Sequence, residues 1–164
     1  MPNHGDSNVS VVIPSLNAGK HLRQLLPAIF DQEPVPPREV VLVDSMSGDD
    51  TRAIAQTDPR VRVVPIPNFS HGRARNLGAR EATGSIVVLL TQDAIPIDRR
   101  WLAGRLAPMA DDKVAAVYSR QVPRPDASPM ERFFLKTRFP DGPPVVRRKR
   151  GDEPLTLEQV FFSN

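Results

Sequence analysis

The stretch Ile86-Val87-Val88-Leu89-Leu90-Thr91-Gln92-Asp93-Ala94 decides the fold. An unbroken apolar run stops at a single carboxylate, with Gly84 ahead of it and Pro96 behind it. A short apolar run between such breakers predicts a strand buried on both faces, as in parallel sheets covered by helices. Open parallel sheets bind ligands just beyond the carboxyl ends of their strands. The run therefore places Asp93 where such a fold keeps its chemistry, and an acid at that point suggests a metal or a polar substrate.

Elsewhere the chain alternates in the same way. Residues 9–13 are a β-rich run closed by Pro14. Residues 18–30 set Leu22, Leu25, Leu26, Ile29 and Phe30 at helical spacing, with Pro27 expected to kink or shorten the helix. A second strand, residues 39–43, ends at Asp44. Ser47, Asp49 and Asp50 then predict the cap and first turn of a helix reaching Ala55. Residues 61–66 are a third strand. Ser70 caps a helix from His71 to about Ala82, which Gly84 ends. On that helix Ala74, Gly78 and Ala82 share a face, so it can approach a sheet closely. The fourth strand is residues 85–90. Asp98 caps a helix carrying Trp101, Leu102, Leu106 and Met109, and residues 114–118 are a fifth strand. Such alternation gives βαβ units and a mainly parallel sheet with right-handed crossovers. Past Arg120 the pattern fades into a short helix at 130–136, a flexible loop at 138–154 and an apolar segment at 155–162.

Composition narrows the function. The chain has 164 residues, enough for one domain with a sizeable core. No apolar stretch approaches a membrane span, and residues 1–8 are polar, without the apolar centre of a signal peptide. Cysteine is absent, which excludes disulfides, thiolate catalysis and cysteine-bound zinc. A net charge of +3 is too small to argue for nucleic acid. The basic excess gathers in Arg147-Arg148-Lys149-Arg150, read first as a solvated loop and second as a contact for phosphate or an anionic membrane surface. Of the 18 prolines, seven lie between Pro123 and Pro154, which marks that segment as loop.

The polar residues fall at strand ends: Pro14-Ser15-Leu16-Asn17, Asp44-Ser45, Thr91-Gln92-Asp93 and Ser119-Arg120-Gln121. A parallel sheet brings all four to one edge. Asp and Asn also favour turns and caps for purely local reasons, and that explanation competes at each single position; four polar ends together favour a shared site. Familiar nucleotide motifs are missing. Gly19-Lys20 has Pro14 where a phosphate loop needs its first glycine, and His21 in place of Ser or Thr. There is no GxGxxG after the first strand, no acidic pair of a phospho-acceptor domain, no HExxH and no GxSxG. His4, His21 and His71 are scattered.

With these positions in place, Val11-Val12-Ile13-Pro14-Ser15-Leu16-Asn17 and Val41-Leu42-Val43-Asp44-Ser45 resemble the opening of family 2 glycosyltransferases of GT-A fold. Gly72-Arg73-Ala74-Arg75-Asn76-Leu77-Gly78 resembles that family's Ala-Arg-Asn helix, and Thr91-Gln92-Asp93 falls where the family carries Asp-x-Asp. The match covers residues 9–120. Thr91 replaces the first acid of the motif. Phe69-Ser70-His71-Gly72-Arg73, Thr91-Gln92-Asp93-Ala94 and Tyr118-Ser119-Arg120-Gln121 resemble a rhamnosyltransferase-like bacterial branch that builds surface polysaccharides. The resemblance implies a Rossmann-like α/β domain at 9–122 that binds a nucleoside-diphosphate sugar, behind a disordered tail at 1–8. The Pro/Arg-rich segment at 123–164 would begin an acceptor-binding half that the chain lacks, as in a C-terminally truncated product.

The resemblance also implies roles. Pro14, Ser15 and Asn17 would line the nucleotide pocket, Asp44 would accept from a pyrimidine base, and Arg75 would lie against base or diphosphate. Thr91, able to donate to a sugar or phosphate oxygen, and Gln92 would complete the nucleotide-sugar set. Asp93 would hold Mg²⁺ or Mn²⁺, which stabilises the diphosphate leaving group. Mg²⁺ takes only one or two protein carboxylates, so one acid is adequate. The reaction implied is inverting transfer to a saccharide or lipid-linked acceptor, with dTDP-rhamnose one candidate donor. It belongs in the cytoplasm, with the inner face of the membrane as one location for peripheral contact. Inversion needs a general base. Asp111, Asp112, Asp126, Glu131, Asp152 and Glu153 are available, and no motif singles one out. The alternatives are a non-catalytic nucleotide-binding remnant or regulatory module, a nucleotidyltransferase lacking the usual glycine-rich loop, and an interaction protein using the Pro- and Arg-rich tail.

Overall fold

The computed structural model describes residues 8–142, 145–149, 151, 152 and 154. Four parallel strands, β1 (Val9–Ser15), β2 (Glu39–Asp44), β3 (Val61–Pro65) and β4 (Ile86–Leu89), form one sheet in the order β3-β2-β1-β4. Helices α1 (Gly19–Phe30), α2 (Thr51–Ala55) and α3 (His71–Glu81) connect them. Then come α4 (Trp101–Leu106), extended by a 3₁₀ turn over Ala107–Ala110, and α5 (Pro129–Arg138). Two compact units divide the chain, Met1–Pro108 and Met109–Asn164. The sheet lies in the first, and α5 in the second. The expected α/β class and parallel sheet are present.

The pleat of β1 explains the layering. Val11 and Ile13 face Leu22, Leu25, Leu26 and Ile29 of α1, while Val12 faces Ala74 of α3. Every residue of β1 is buried, so β1 is covered on both faces, as is β2 from Val40 to Asp44. Pro14 sits in this central strand without breaking a ladder. Val12 offers its carbonyl to Leu90 and Ser15 offers its own to Ser45, so residue 14 faces the β4 side, past the last residue of β4. Its missing donor is not needed there. Pro27 does not shorten α1, which continues to Phe30. A proline inside a helix costs about 3 kcal/mol. Burial of Leu22, Leu25, Leu26 and Ile29, at about 1.5–3 kcal/mol each, outweighs that.

Two strand expectations are corrected. The fourth strand is not buried on both faces. Among the described residues it is an edge strand paired only with β1, and Val87 and Leu89 are 36% and 39% exposed. Val88 and Leu90 pack into the α1-side core, but α3 lies over β1 and β2, leaving the other face of β4 open. Residues 114–118 form no strand. Ala115 and Ala116 are poor strand formers, and the run joins no ladder among the described residues. Ser119-Arg120-Gln121 is therefore not a strand end of this sheet, and Arg120 instead pairs with Asp141. The short helix expected at 130–136 is α5, capped by Ser128, whose hydroxyl oxygen accepts from the Glu131 N–H. Glu131 falls in the first turn of α5, where an acid suits the positive end of the helix. Described residues of the proline-rich segment after α5 are in neither helix nor strand. The tail at 1–7 and the apolar segment at 155–162 lie outside the described residues.

Glycines mark the closest approaches. A Cβ on Gly78 would stand 2.2 Å from Val12 Cγ1 and 3.0 Å from Val43 Cγ2, so α3 rests directly on β1 and β2. Gly84 does not end α3, which stops at Glu81. Instead it lets the chain pass β1, where a Cβ would lie 2.8 Å from the Asn8 oxygen. Gly78→Ala is expected to lower stability by about 1–2 kcal/mol, overpacking outweighing the better helix propensity of alanine. Gly72→Ala on the same helix meets nothing within 4 Å and should be neutral or stabilising. Urea denaturation of the two variants checks the pair; equal effects would contradict the packing argument.

Candidate donor site at the carboxyl ends of the strands

Helix α1 begins at Gly19, and its N-cap, Ala18, has no side-chain acceptor. The cap comes from the loop after β2. Asp49 Oδ2 accepts from the Gly19 N–H at 3.0 Å, and Thr51 Oγ1 accepts from the Ala18 N–H at 2.7 Å. Asp49 Oδ1 also takes the Thr51 N–H and hydroxyl, so one carboxylate serves the starts of α1 and α2 together. Asp50 pairs with Arg23 of α1. A Cβ on Gly19 would fall 1.8 Å from Asp50 Oδ1, so a larger residue there would have to displace the Asp50 side chain.

The same loop holds the end of β1. Asn17 adopts a left-handed conformation, φ 49°, which asparagine tolerates better than most residues. Its N–H donates to Ser47 Oγ at 2.9 Å, and its Oδ1 accepts from the Gly48 N–H at 3.0 Å. Asp44 is fully buried. It accepts the Ser47 hydroxyl and N–H, and Arg52 Nε donates to its Oδ2 at 2.6 Å. Gln92 closes the third side. Its Oε1 accepts from the Leu16 N–H at 2.8 Å and its Nε2 donates to the Leu16 carbonyl at 3.2 Å. The turn bearing Thr91 and Asp93 is thereby tied to the end of β1.

Direct bonds thus connect Leu16 and Asn17, which follow Pro14 and Ser15 at the end of β1, to Asp44's loop on one side and to Gln92 on the other. Thr91 is half-buried, and Asp93 is exposed in the turn behind it. Arg75 makes no hydrogen bond to these groups. On the helical wheel it lies about 150° from the mean direction of Arg73, Asn76, Leu77 and Arg80. Those four residues, with Ile66, Pro67 and Asn68, line a cleft of about 460 Å³ beside the β3–α3 loop. That cleft contains none of the strand-end residues. Two buried polar atoms have no hydrogen-bond partner among the described residues, Ser15 Oγ at the end of β1 and Arg75 Nε on α3. Orphaned groups of this kind are uncommon in folded chains.

Ser47, Asp49, Thr51 and Arg52 are the contributors that the sequence reading did not place in the site. It took Ser47, Asp49 and Asp50 as caps for α2 alone. The available signal was Ala18, a poor N-cap, which meant that α1 had to be capped from elsewhere. No group of three or more His, Cys, Asp or Glu that could hold a metal occurs among the described residues. A cation at Asp93 would therefore take its other ligands from phosphate and water, an arrangement Mg²⁺ commonly adopts.

The Thr51 hydroxyl, followed by the backbone N–H groups, holds the Asp49 carboxyl below its ordinary value against the opposing effect of burial. A carboxyl lowered on folding stabilises the fold above its unfolded pKa, and that contribution disappears as pH falls through the folded value. The Tm of the wild type should therefore drop more steeply below about pH 4 than that of Asp49→Asn. Parallel Tm profiles for the two proteins would contradict the shared cap. Thr51→Val keeps the shape of the side chain but leaves the buried Ala18 N–H unpaired. A loss of about 1–3 kcal/mol is expected in urea denaturation.

Comparison with known proteins bears on the family and the fold. The family model described as glycosyl transferase family 2 matches residues 10–155. The O-antigen chain rhamnosyltransferase RfbN of Salmonella typhimurium is 31% identical over 159 residues, which cover 95% of this chain and 50% of that protein. The O-antigen chain rhamnosyltransferase WbaN of Salmonella anatum is 34% identical over 158 residues, covering 94% and 50%. The chain thus spans about half the length of the curated relatives it matches. Among solved structures, the mannosyltransferase PcManGT from Pyrobaculum calidifontis, in complex with GDP-Man and Mn²⁺, superposes with a TM-score of 0.62. It is 32% identical, and the match covers 82% of this chain and 40% of that one. A parallel sheet of GT-A type and a family match over most of its length lead to one conclusion: the chain belongs to glycosyl transferase family 2.

Proposed function

We propose that the chain binds a nucleoside-diphosphate sugar across the ends of β1, β2 and β4. In this reading it is the donor half of an enzyme that transfers the sugar to a saccharide or lipid-linked acceptor in surface polysaccharide biosynthesis. The observation that carries the reading is the pair of orphaned polar atoms, Ser15 Oγ and Arg75 Nε, in residues the family motif assigns to the donor. A bound diphosphate supplies what the guanidinium N–H lacks. The rhamnosyltransferase names of the two Salmonella relatives make dTDP-rhamnose the first donor to try.

Each residue then has a role. Asp93 holds the divalent cation, Mg²⁺ or Mn²⁺, which when bound offsets the charge of the departing diphosphate. Thr91, uncharged where the family has an acid, donates its hydroxyl to a sugar or phosphate oxygen. Pro14, Ser15 and Asn17 shape the floor of the nucleotide pocket. Gln92 fixes the turn that carries Asp93 by holding Leu16. Asp44 has about four lone-pair directions, and three donors reach it. The fourth suits a pyrimidine N–H, exposed when Arg52, a partly exposed side chain, turns aside. A lipid-linked acceptor would place the reaction in the cytoplasm at the inner face of the membrane. Among the described residues no helix is long and apolar enough to cross it.

A second reading, a nucleotide-binding module without transfer, is favoured by Thr91 in place of the first acid. Calorimetric titration of dTDP, UDP and GDP, with and without Mn²⁺, into wild type and Asp93→Ala tests the first reading. One nucleotide should bind in a metal-dependent way, weakened more than about tenfold in the variant. Binding that Asp93→Ala leaves unchanged, or none to a cooperatively folded protein, would overturn it. Binding without sugar transfer would select the second reading.

A further inference from the structure

The second compact unit carries a surface that the donor site does not use. Among the described residues, six large apolar side chains are at least 60% exposed, and all but Ile97 lie in or just after α5: Met130, Phe133, Phe134, Val145 and Val146. On α5, Met130, Phe133 and Phe134 fall at i, i+3 and i+4, a single stripe of the helix. Leu135, half-buried, points about 140° away from Met130 and marks the inward side. Arg138 stands about 80° to one side of the stripe's first residue and Lys136 about 120° to the other. Val145-Val146 repeats the arrangement in miniature, with Arg147-Arg148-Lys149 directly behind.

We propose that α5 and the Val145–Lys149 stretch dock the protein on an anionic lipid surface. Charge decides between a bilayer and a protein as the occupant. The described residues from 129 to 149 carry Arg132, Lys136, Arg138, Arg147, Arg148 and Lys149 against two acids, Glu131 and Asp141. Asp141 is already engaged by Arg120, outside that set. The cores of protein interfaces are depleted of charge. Phenylalanines bordered by cations suit the headgroup boundary, where rings enter the acyl region and long basic side chains reach back to lipid phosphates. Ten residues of helix span about 15 Å, too short to cross a bilayer and long enough to lie in its surface. A single weak anchor holds a protein only marginally, whereas an apolar insertion together with a basic cluster gives stable binding. Here the sequence supplies both. This inference does not depend on the donor-site reading.

Sedimentation of the full chain with vesicles tests it, using phosphatidylcholine alone or mixed equally with phosphatidylglycerol. Binding is expected to the mixed vesicles and not to phosphatidylcholine, and should fall with added salt. Reversing Arg147, Arg148 and Lys149 to Glu together should weaken it more than about a hundredfold. Phe133→Ser with Phe134→Ser should weaken it at least about tenfold. Because these side chains are exposed, both variants should keep the wild-type melting curve and any nucleotide binding, so failure of one proposal is separable from failure of the other. No binding to the mixed vesicles would overturn the inference, as would binding indifferent to both variants. Self-association in light scattering that the Phe variant abolishes, without vesicle binding, would instead assign the face to a second copy of the chain.

Discussion

The carboxylate of Asp49 is the constraint on which the strand-end loops depend. It lies on the loop after β2 but supplies the acceptor that the first turn of α1, after the neighbouring strand, cannot find locally. Helix starts leave four N–H groups unpaired, and Ala18 cannot serve them. Asp49 and Thr51 therefore fix where α1 begins, and with it the path of Leu16-Asn17 between strand and helix. Ser47 continues the tie to Asn17 and buried Asp44, and Gln92 joins the same segment to the turn after β4. Three strand ends are held in one arrangement by side chain-to-backbone bonds, which is the preorganisation a donor pocket requires.

The pocket is built on rigid parts for a physical reason. In the proposed reading its floor is the end of β1, whose residues are all buried, and its wall is α3, pressed on β1 at Gly78. Small residues at Ala74 and Gly78 bring the helix backbone close, and Arg75 follows on the flank away from the Arg73–Arg80 cleft. A guanidinium whose Nε is buried and unpaired is costly in isolation. Such a group is tolerable at a site that regularly receives an anion, which links the unsatisfied atom to the proposed ligand.

Much of this was legible in the sequence. Apolar runs ended by Asp44 and by Asp93 located two of the strand ends, Ser70 marked the start of α3, and the small-residue face correctly foretold its close approach. The misreadings have physical causes. The run at 86–90 looks as apolar as β1, yet composition cannot tell a central strand from an edge, because that depends on which neighbour the chain later supplies. Residues 114–118 likewise resemble a strand but join no ladder. Pro27 broke a local rule that four buried side chains outweighed. The Asp49 cap was missed because capping was read only within each helix, whereas here the acceptor lies 30 positions from its donor. Gln92 also makes a bond that its motif does not announce, its amide engaging the Leu16 backbone, because glutamine in a turn gives no sign of which protein partner it will choose.

Mapping backbone amide shifts by two-dimensional NMR, as a nucleoside diphosphate is added with Mg²⁺, tests the central claim most directly. The account expects the largest shifts at residues 15–19, 44–51 and 91–93 and at Arg75, with little change in the outer stripe of α3. Shifts centred instead on the cleft of Ile66, Arg73, Leu77 and Arg80, or none at saturating nucleotide in a folded protein, would contradict it.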